Sequence, residues 1–366
     1  MKSLENSSMT PQHFNDDIAS DVAQSIARSG VALEGFRGKT VLLTGGTGFF
    51  GIWMLSALIQ IKQVLKGDLR VVVVSRDPER FLQKHPQHLF DQYAEFIHSD
   101  VKKLSLSDVQ VTHLVHMATT NADETFVGED QLQKLDLLYL GTRNVLEQCG
   151  ASLEKVLFTS SGVAYGTPPN GLITEDTPSA LDTTSTDSAL GLGKLNAEYL
   201  MAYYADKWKY QYSIARCFSF AGPYLPLDLH YAIGNFISNA IDQQDIVIKG
   251  DGKALRSYLY MGDALAWLLR LLDEPRNQIF NVGSGKSLSM KELAQNVAQV
   301  AMHSQSIKVM HQSQEIGNFK RDMYVPSINK ITTSYPGLKE WTTVEESIRK
   351  MIDFQKMHFN MVNQEK

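Results

Sequence analysis

Cysteine is scarce in this 366-residue chain: there are two, Cys149 and Cys217, both in apolar surroundings and in no metal or redox spacing. That count excludes a disulfide scaffold and fits a reducing compartment. Long hydrophobic runs are missing as well. No stretch reaches the length of a membrane span, and the polar opening MKSLENSSMT lacks the apolar core of a signal peptide. The expectation is a cytoplasmic protein with no membrane contact. Positive charge is not in excess: 35 Lys and Arg against 40 Asp and Glu leave a formal charge of −5, which argues against a nucleic-acid partner. No spacing supports a metal site, and His113 and His116 read as core or strand-end residues. Internal repeats are absent. What remains, 43% hydrophobic and 20% charged residues, is the composition of an ordinary globular protein, long enough for one large α/β unit or two modest domains.

One stretch organises the rest. Lys39–Ile52, KTVLLTGGTGFFGI, reads as a buried strand, a glycine turn and the start of a helix. Gly45, Gly48 and Gly51 give the spacing G-x-x-G-x-x-G, with Thr47, Phe49 and Phe50 between them. Gly45 permits a tight turn, Gly48 lets backbone approach a pyrophosphate, and Gly51 lets the helix pack close to the strand. The helix amino terminus then offers free N–H groups and the positive end of its dipole to phosphates. A second buried strand, Leu69–Val74, ends in Ser75, Arg76 and Asp77. An acid at that end accepts a ribose 2′-hydroxyl, whereas arginine suits a 2′-phosphate. The cofactor expected is NAD or NADP, with Ser75-Arg76 favouring NADP and Asp77 opposing it.

Taken in order, Met1–Gln12 is polar, and Asp16–Arg28 has helical spacing that predicts a helix on the sheet edge. After the second strand come a third at Phe96–Val101, a fourth at His113–Met117, a helix at Leu132–Cys149 and a fifth strand at Val156–Thr159 that delivers Ser160 and Ser161. A loop over Thr167–Ser188, a helix over Leu190–Trp208 and a strand at Tyr212–Cys217 follow. This alternation is that of a doubly wound parallel sheet of Rossmann type, in which ligands sit at the carboxyl ends of the strands. Beyond Phe218 the pattern loosens into short strands, among them Ile246–Lys249 and Gln278–Val282, and helices. The division expected is an N-terminal helical extension over 1–37, a dinucleotide-binding domain over 38–217 and a smaller α/β substrate domain over 218–366.

From Lys39 onward the chain resembles the extended short-chain dehydrogenase/reductase superfamily, the nucleotide-sugar epimerases and dehydratases. The likeness rests on TGGTGFFG (Thr44–Gly51), Asp100-Val101, HMATT (His116–Thr120), TSSGVAYG (Thr159–Gly166), GLGKLNAE (Gly191–Glu198), ARCFSFAGPY (Ala215–Tyr224), RSYLYMGD (Arg256–Asp263) and NVGSG (Asn281–Gly285). By this resemblance Phe49 and Phe50 flank the pyrophosphate, Asp100 and Val101 contact the adenine, and Met117, Ala118 and Thr119 line the cofactor. Ser161 and Lys194 take the catalytic Ser/Thr and Lys positions, and Phe218 lies beside the nicotinamide. Asn235, Arg256 and Tyr258 are the candidates for gripping a nucleotide sugar, and a homodimer is implied.

In this superfamily a tyrosine four residues before the lysine is usually the acid–base group. The lysine lowers its pKa and holds the ribose, while the Ser hydroxyl orients the substrate oxygen. Here that position is Leu190, which has no proton to exchange. Tyr165, four residues beyond Ser161, reads as a packing residue of its loop. Related 4,6-dehydratases carry Asp-Glu after the Ser/Thr, where this chain has Gly162 and Val163, and the sugar-acid decarboxylases place Glu at the second of these. Leu138 replaces a polar residue common near the nicotinamide, and Ser219 an asparagine. These departures favour an epimerase or 4-ketoreductase. The alternatives are a 4,6-dehydratase with altered acid and base, and a protein that binds both ligands without turnover.

Overall fold

The computed structural model describes residues 18–119, 130–167, 171–229, 231–302, 306–310 and 322–364, with backbone alone at 87 and 359–364. The polar opening over 1–12 and Thr120 lie outside them. Seven aliphatic or β-branched runs form one sheet: β1 (Lys39–Thr44), β2 (Leu69–Ser75), β3 (Glu95–His98), β4 (His113–His116), β5 (Lys155–Ser161), β6 (Gln211–Cys217) and β7 (Gln278–Val282). Their order is β7-β6-β5-β4-β1-β2-β3, and every pairing is parallel. A parallel sheet needs both faces covered, which explains strands with no polar alternation. Val41, Leu43, Val71 and Val73 point into one apolar layer, and Leu42, Val72 and Val74 into the other. The first layer is closed by α1 (Ala19–Ser29) and α2 (Phe49–Val64), the second by α3 (131–149) and α4 (Ala189–Trp208).

Helix α3 is not continuous α-helix. Leu137–Gly141 forms a π turn between Gln131–Asp136 and Thr142–Cys149, an irregularity that often accompanies functional sites. A third apolar core gathers α5 (Ala232–Ile241), α7 (Met290–Ala301) and α8 (Val344–Gln364) around the parallel pair Ile246–Lys249 and Ile307–Met310. Between them in sequence, α6 (Met261–Asp273) returns to the first layer of the large sheet.

Three expectations are corrected. Gln278–Val282, placed by sequence with the substrate elements, is the edge strand beside β6, because its Ile279, Phe280 and Val282 match the register of Ile214, Ala215 and Cys217. Helix α1 does not sit on a sheet edge. Its apolar face finds α6, which is buried nearly all round, and polar ties hold it there. Ser25 Oγ donates to the Gly262 carbonyl at 2.7 Å, and Asp21 accepts from the Tyr260 hydroxyl at 2.6 Å and from Lys350 Nζ at 2.7 Å. Strand β3 also ends earlier than expected, at His98, and Val101 opens a 3-10 turn.

Candidate functional site

The strand order reverses between β1 and β4, and the turn after β1 lies at that switch point. Gly45 has φ +71°, and a Cβ there would stand 2.6–2.8 Å from the Met117 carbonyl and the Ala118 nitrogen. The turn therefore packs directly on the segment after β4. A Cβ on Gly51 would run into the backbone of Gly45 and Gly46, so this glycine brings α2 down onto the turn itself. Gly48 differs: the nearest atom to its Cβ would be the Gly45 carbonyl at 3.7 Å, so the protein alone makes no demand for glycine here. Gly48 is also the N-cap of α2, with no side-chain cap, and the N–H groups of the first turn have no helical partner. An open cradle over uncapped N–H groups fits the pyrophosphate of a dinucleotide. Thr44 Oγ1 braces the floor, 2.7 Å from His116 Nδ1 and accepting from Ala118 N at 3.3 Å. Burial, then the charge of Lys194, pulls the His116 pKa down to about 3, so this ring is neutral.

At the far end of the cleft, Ser75 Oγ accepts from the Asp77 nitrogen at 3.2 Å, and Asp77 Oδ1 accepts from Arg80 N at 3.0 Å as the cap of the helix Pro78–Lys84. Arg76 is exposed between them. Asp100 likewise caps a turn, Oδ1 accepting from Lys102 N at 2.8 Å, and Val101 is buried against Gly141 of the π turn. Met117 is buried, and Thr119 is exposed.

The strand end of β5 carries Ser161, whose Oγ accepts from Val163 N at 3.3 Å. Lys194 comes to the same place from α4: it is 4% exposed, donates Nζ to the Thr159 carbonyl at 2.8 Å, and lies 5.0 Å over the Phe158 ring. Burial pulls its pKa down to about 8, against the opposing influence of Cys217 and Glu198. Glu198, one helical turn on, pairs bidentately with Arg216 of β6 at 2.9 and 2.6 Å and accepts from Ser160 Oγ. Arg216 in turn stacks 4.4 Å over Tyr165, whose hydroxyl donates to Asn281 Oδ1 at 2.7 Å. Tyr165 is thus a core residue, its phenol pushed up to about 12 by burial. Leu190 occupies the first turn of α4, half-buried. Leu138 is buried against Gly193, where a Cβ would stand 2.6 Å from its Cδ1. It packs α3 on α4.

Beyond residue 218, Leu255–Arg256 pairs with Leu288–Ser289 and with Met323–Tyr324. Arg256 is half-buried and donates Nη1 to the Leu255 carbonyl at 2.8 Å; burial lowers its pKa, while neighbouring Tyr258, Tyr324 and Asp322 oppose that shift. Burial pushes the Tyr258 phenol up, against Arg256. Asn235 lies in the first turn of α5 and makes no side-chain hydrogen bond to another described residue. Sequence reasoning missed Tyr324. Its ring stands 4.7 Å from that of Phe218, and its hydroxyl is the first atom a Cβ on Gly162 would strike. The available signal was Gly162 itself, a glycine at the position where, by the resemblance, only the related 4,6-dehydratases carry a carboxylate. Among the described residues no group of three or more His, Cys, Asp or Glu could hold a metal, and no helix is long and apolar enough to cross a membrane.

This sheet order, with its glycine turn at the switch point, is that of a Rossmann-type α/β protein, and the extended short-chain dehydrogenase/reductase superfamily fits it. The chain belongs to the NAD dependent epimerase/dehydratase family, whose model matches residues 41–283. UDP-glucuronic acid decarboxylase 6 of Arabidopsis thaliana is 27% identical over 272 residues, 74% of this chain and 76% of that one. A putative UDP-glucose 4-epimerase of Methanocaldococcus jannaschii is 29% identical over 262 residues, 69% and 79% of the two chains. The solved UDP-glucuronic acid 4-epimerase of Bacillus cereus, in complex with UDP-glucuronic acid and NAD, shares the fold at a TM-score of 0.72 and 20% identity, over 87% of this chain and 99% of its own.

Proposed function

We propose that this protein binds a nicotinamide dinucleotide across the switch point and a nucleotide sugar under the elements beyond residue 218, and that it epimerises the sugar or reduces a sugar ketone. Lys194 carries the reading: an ammonium buried on the Thr159 carbonyl, two residues before Ser161. A buried lysine is costly to the fold, and a surface helix position would have avoided that cost. The bound dinucleotide would supply hydride transfer to or from a sugar carbon.

The chain's own residues do the rest. The first-turn N–H groups at Phe49, Phe50 and Gly51 hold the phosphates, and Lys194 holds the ribose. Asp77 is engaged as a helix cap, which favours Arg76 and a 2′-phosphate at the adenosine end. Phe218 shields the nicotinamide, Ser161 Oγ orients the substrate oxygen, and Arg256, with Asn235 and Tyr258, grips the diphosphate through a planar guanidinium. Exposed Leu132, Leu140, Tyr199 and Tyr203, on the adjoining helices α3 and α4, support a homodimer.

Mass spectrometry of ligands released from the purified protein, then single-turnover absorbance of the reduced nicotinamide on a panel of nucleotide sugars, tests the reading. Isomerised sugar with the dinucleotide retained marks an epimerase; steady dinucleotide consumption marks a reductase. A protein that binds neither ligand refutes the proposal. Leu190 supports a second reading, a protein that binds both ligands without turnover; tight binding and no product on the whole panel would establish it.

A further inference from the structure

With leucine at position 190, the proton of the sugar oxygen has no carrier at the usual place. The tertiary structure brings a phenol to the same strand ends from elsewhere. Tyr324 ends the short strand Met323–Tyr324, where it is the register partner of Arg256. A Cβ on Gly162 would collide with the Tyr324 hydroxyl oxygen and lie 2.9 Å from its Cζ and 3.0 Å from Phe218 Cε1. The Tyr324 and Phe218 rings are 4.7 Å apart and inclined by 34°. The hydroxyl thereby takes the space of a side chain at 162, its ring lies beside the Phe218 ring, and Tyr324 is half-buried. Gly162 is the reason it fits: the volume of a side chain there is filled by the phenol instead.

We propose that Tyr324 is the acid–base residue of this site, supplied by the C-terminal elements in place of the one absent at Leu190. The proposal rests on the hydride-transfer reading above. In the reducing direction the C=O π bond of a sugar ketone breaks. A C–H bond forms with hydride from the reduced nicotinamide dinucleotide, and an O–H bond forms with the Tyr324 proton. The phenolate left behind is reprotonated from water. Alcohol oxidation is the reverse, the Tyr324 oxygen accepting the hydroxyl proton as hydride departs to the oxidised dinucleotide. Ser161 Oγ, by the reading above, orients the same substrate oxygen.

The test compares the unaltered protein with Tyr324→Phe, which keeps the ring against Phe218 and removes only the oxygen. Single-turnover nicotinamide absorbance is read with NAD or NADP and a panel led by UDP-glucose and UDP-glucuronic acid; dinucleotide and sugar-nucleotide affinities are read by calorimetry. The expected result is a rate lower by ~10²–10⁴-fold with both affinities changed no more than about threefold. Leu190→Tyr should raise the rate of Tyr324→Phe by at least about tenfold more than it raises that of the unaltered protein, whereas a merely structural role for Tyr324 would give equal gains in both. Gly162→Ala, which displaces the hydroxyl without removing it, should lower the rate while dinucleotide affinity holds. A Tyr324→Phe rate within about threefold of the unaltered protein overturns the proposal and leaves the hydride-transfer reading standing. No turnover by the unaltered protein on any sugar overturns that reading, and the proposal with it.

Discussion

Lys194 sets the strictest terms of any single residue. Its ammonium is anchored on the Thr159 carbonyl and its pKa is pulled down to about 8 by burial. An unfolded lysine titrates near ~10.4, so between the two values the unfolded chain binds more protons than the folded one. Stability therefore sits on its lower plateau below pH 8 and rises as pH climbs from there toward the unfolded value. Lys194→Met should abolish that rise, on the order of 2 kcal/mol between pH 7 and pH 9.5, and should weaken dinucleotide binding. Urea midpoints of both proteins at the two pH values check it; parallel pH dependence in the two would show that the lysine is not the titrating group. Arg76 carries a separate expectation. If it reads a 2′-phosphate, Arg76→Ala should weaken NADP more than NAD by ~1.5–3 kcal/mol, the range of one charge-assisted hydrogen bond. Calorimetry with both dinucleotides decides this, and equal losses would remove the NADP preference.

At the scale of elements, the turn between β1 and α2 separates glycines that the fold requires from one that it does not. A Cβ on Gly51 meets backbone, which cannot yield cheaply, whereas a Cβ on Gly48 meets only ordinary contact distance at 3.7 Å. Gly51→Ala should therefore destabilise the protein by about 3 kcal/mol. Gly48→Ala should stay within about 0.5 kcal/mol of the unaltered stability and still lose dinucleotide affinity. Urea unfolding beside a fluorescence titration with reduced dinucleotide separates the two; a large stability loss at Gly48 would contradict the account. This turn was legible in the sequence because strand, glycine spacing and helix are contiguous. The π turn in α3 was not, since Leu132–Cys149 shows ordinary helical periodicity and the irregularity arises where Gly141 packs on Val101 and Leu138 on Gly193.

Across the whole molecule, α1 ties the large sheet's helical layer to the C-terminal elements. Asp21 accepts from Tyr260, at the start of α6, and from Lys350 of α8. Asp263 in α6 accepts from the Trp341 and Thr342 nitrogens at 2.9 and 2.8 Å, just ahead of α8, and lies 3.4 Å from Arg28 of α1. Asp21→Ala leaves the Tyr260 hydroxyl buried without its acceptor, so stability should fall by ~1–3 kcal/mol. The Asp21 carboxylate bonds Tyr260 and Lys350 and not the turn at Gly45, so dinucleotide affinity should hold. Unfolding and binding measured on the same variant check both; a parallel loss of affinity would mean that α1 shapes the cleft.

The sequence by itself determined the order of strands and helices, the glycine turn after the first strand, the polar residues at the ends of β2 and β5, and the leucine four residues before Lys194. Each of these is a local pattern or a fixed offset along the chain, and contiguous residues suffice to read it. Only the tertiary structure decided that Gln278–Val282 closes the sheet's edge, that α1 rests on α6, and that Asp77 and Asp100 are engaged as caps. It alone set Tyr324 against Gly162. These depend on which of several eligible partners a strand, a carboxylate or a ring finds once the chain has closed on itself. No periodicity in the residues around 324 records that a glycine at 162 has left room for its phenol.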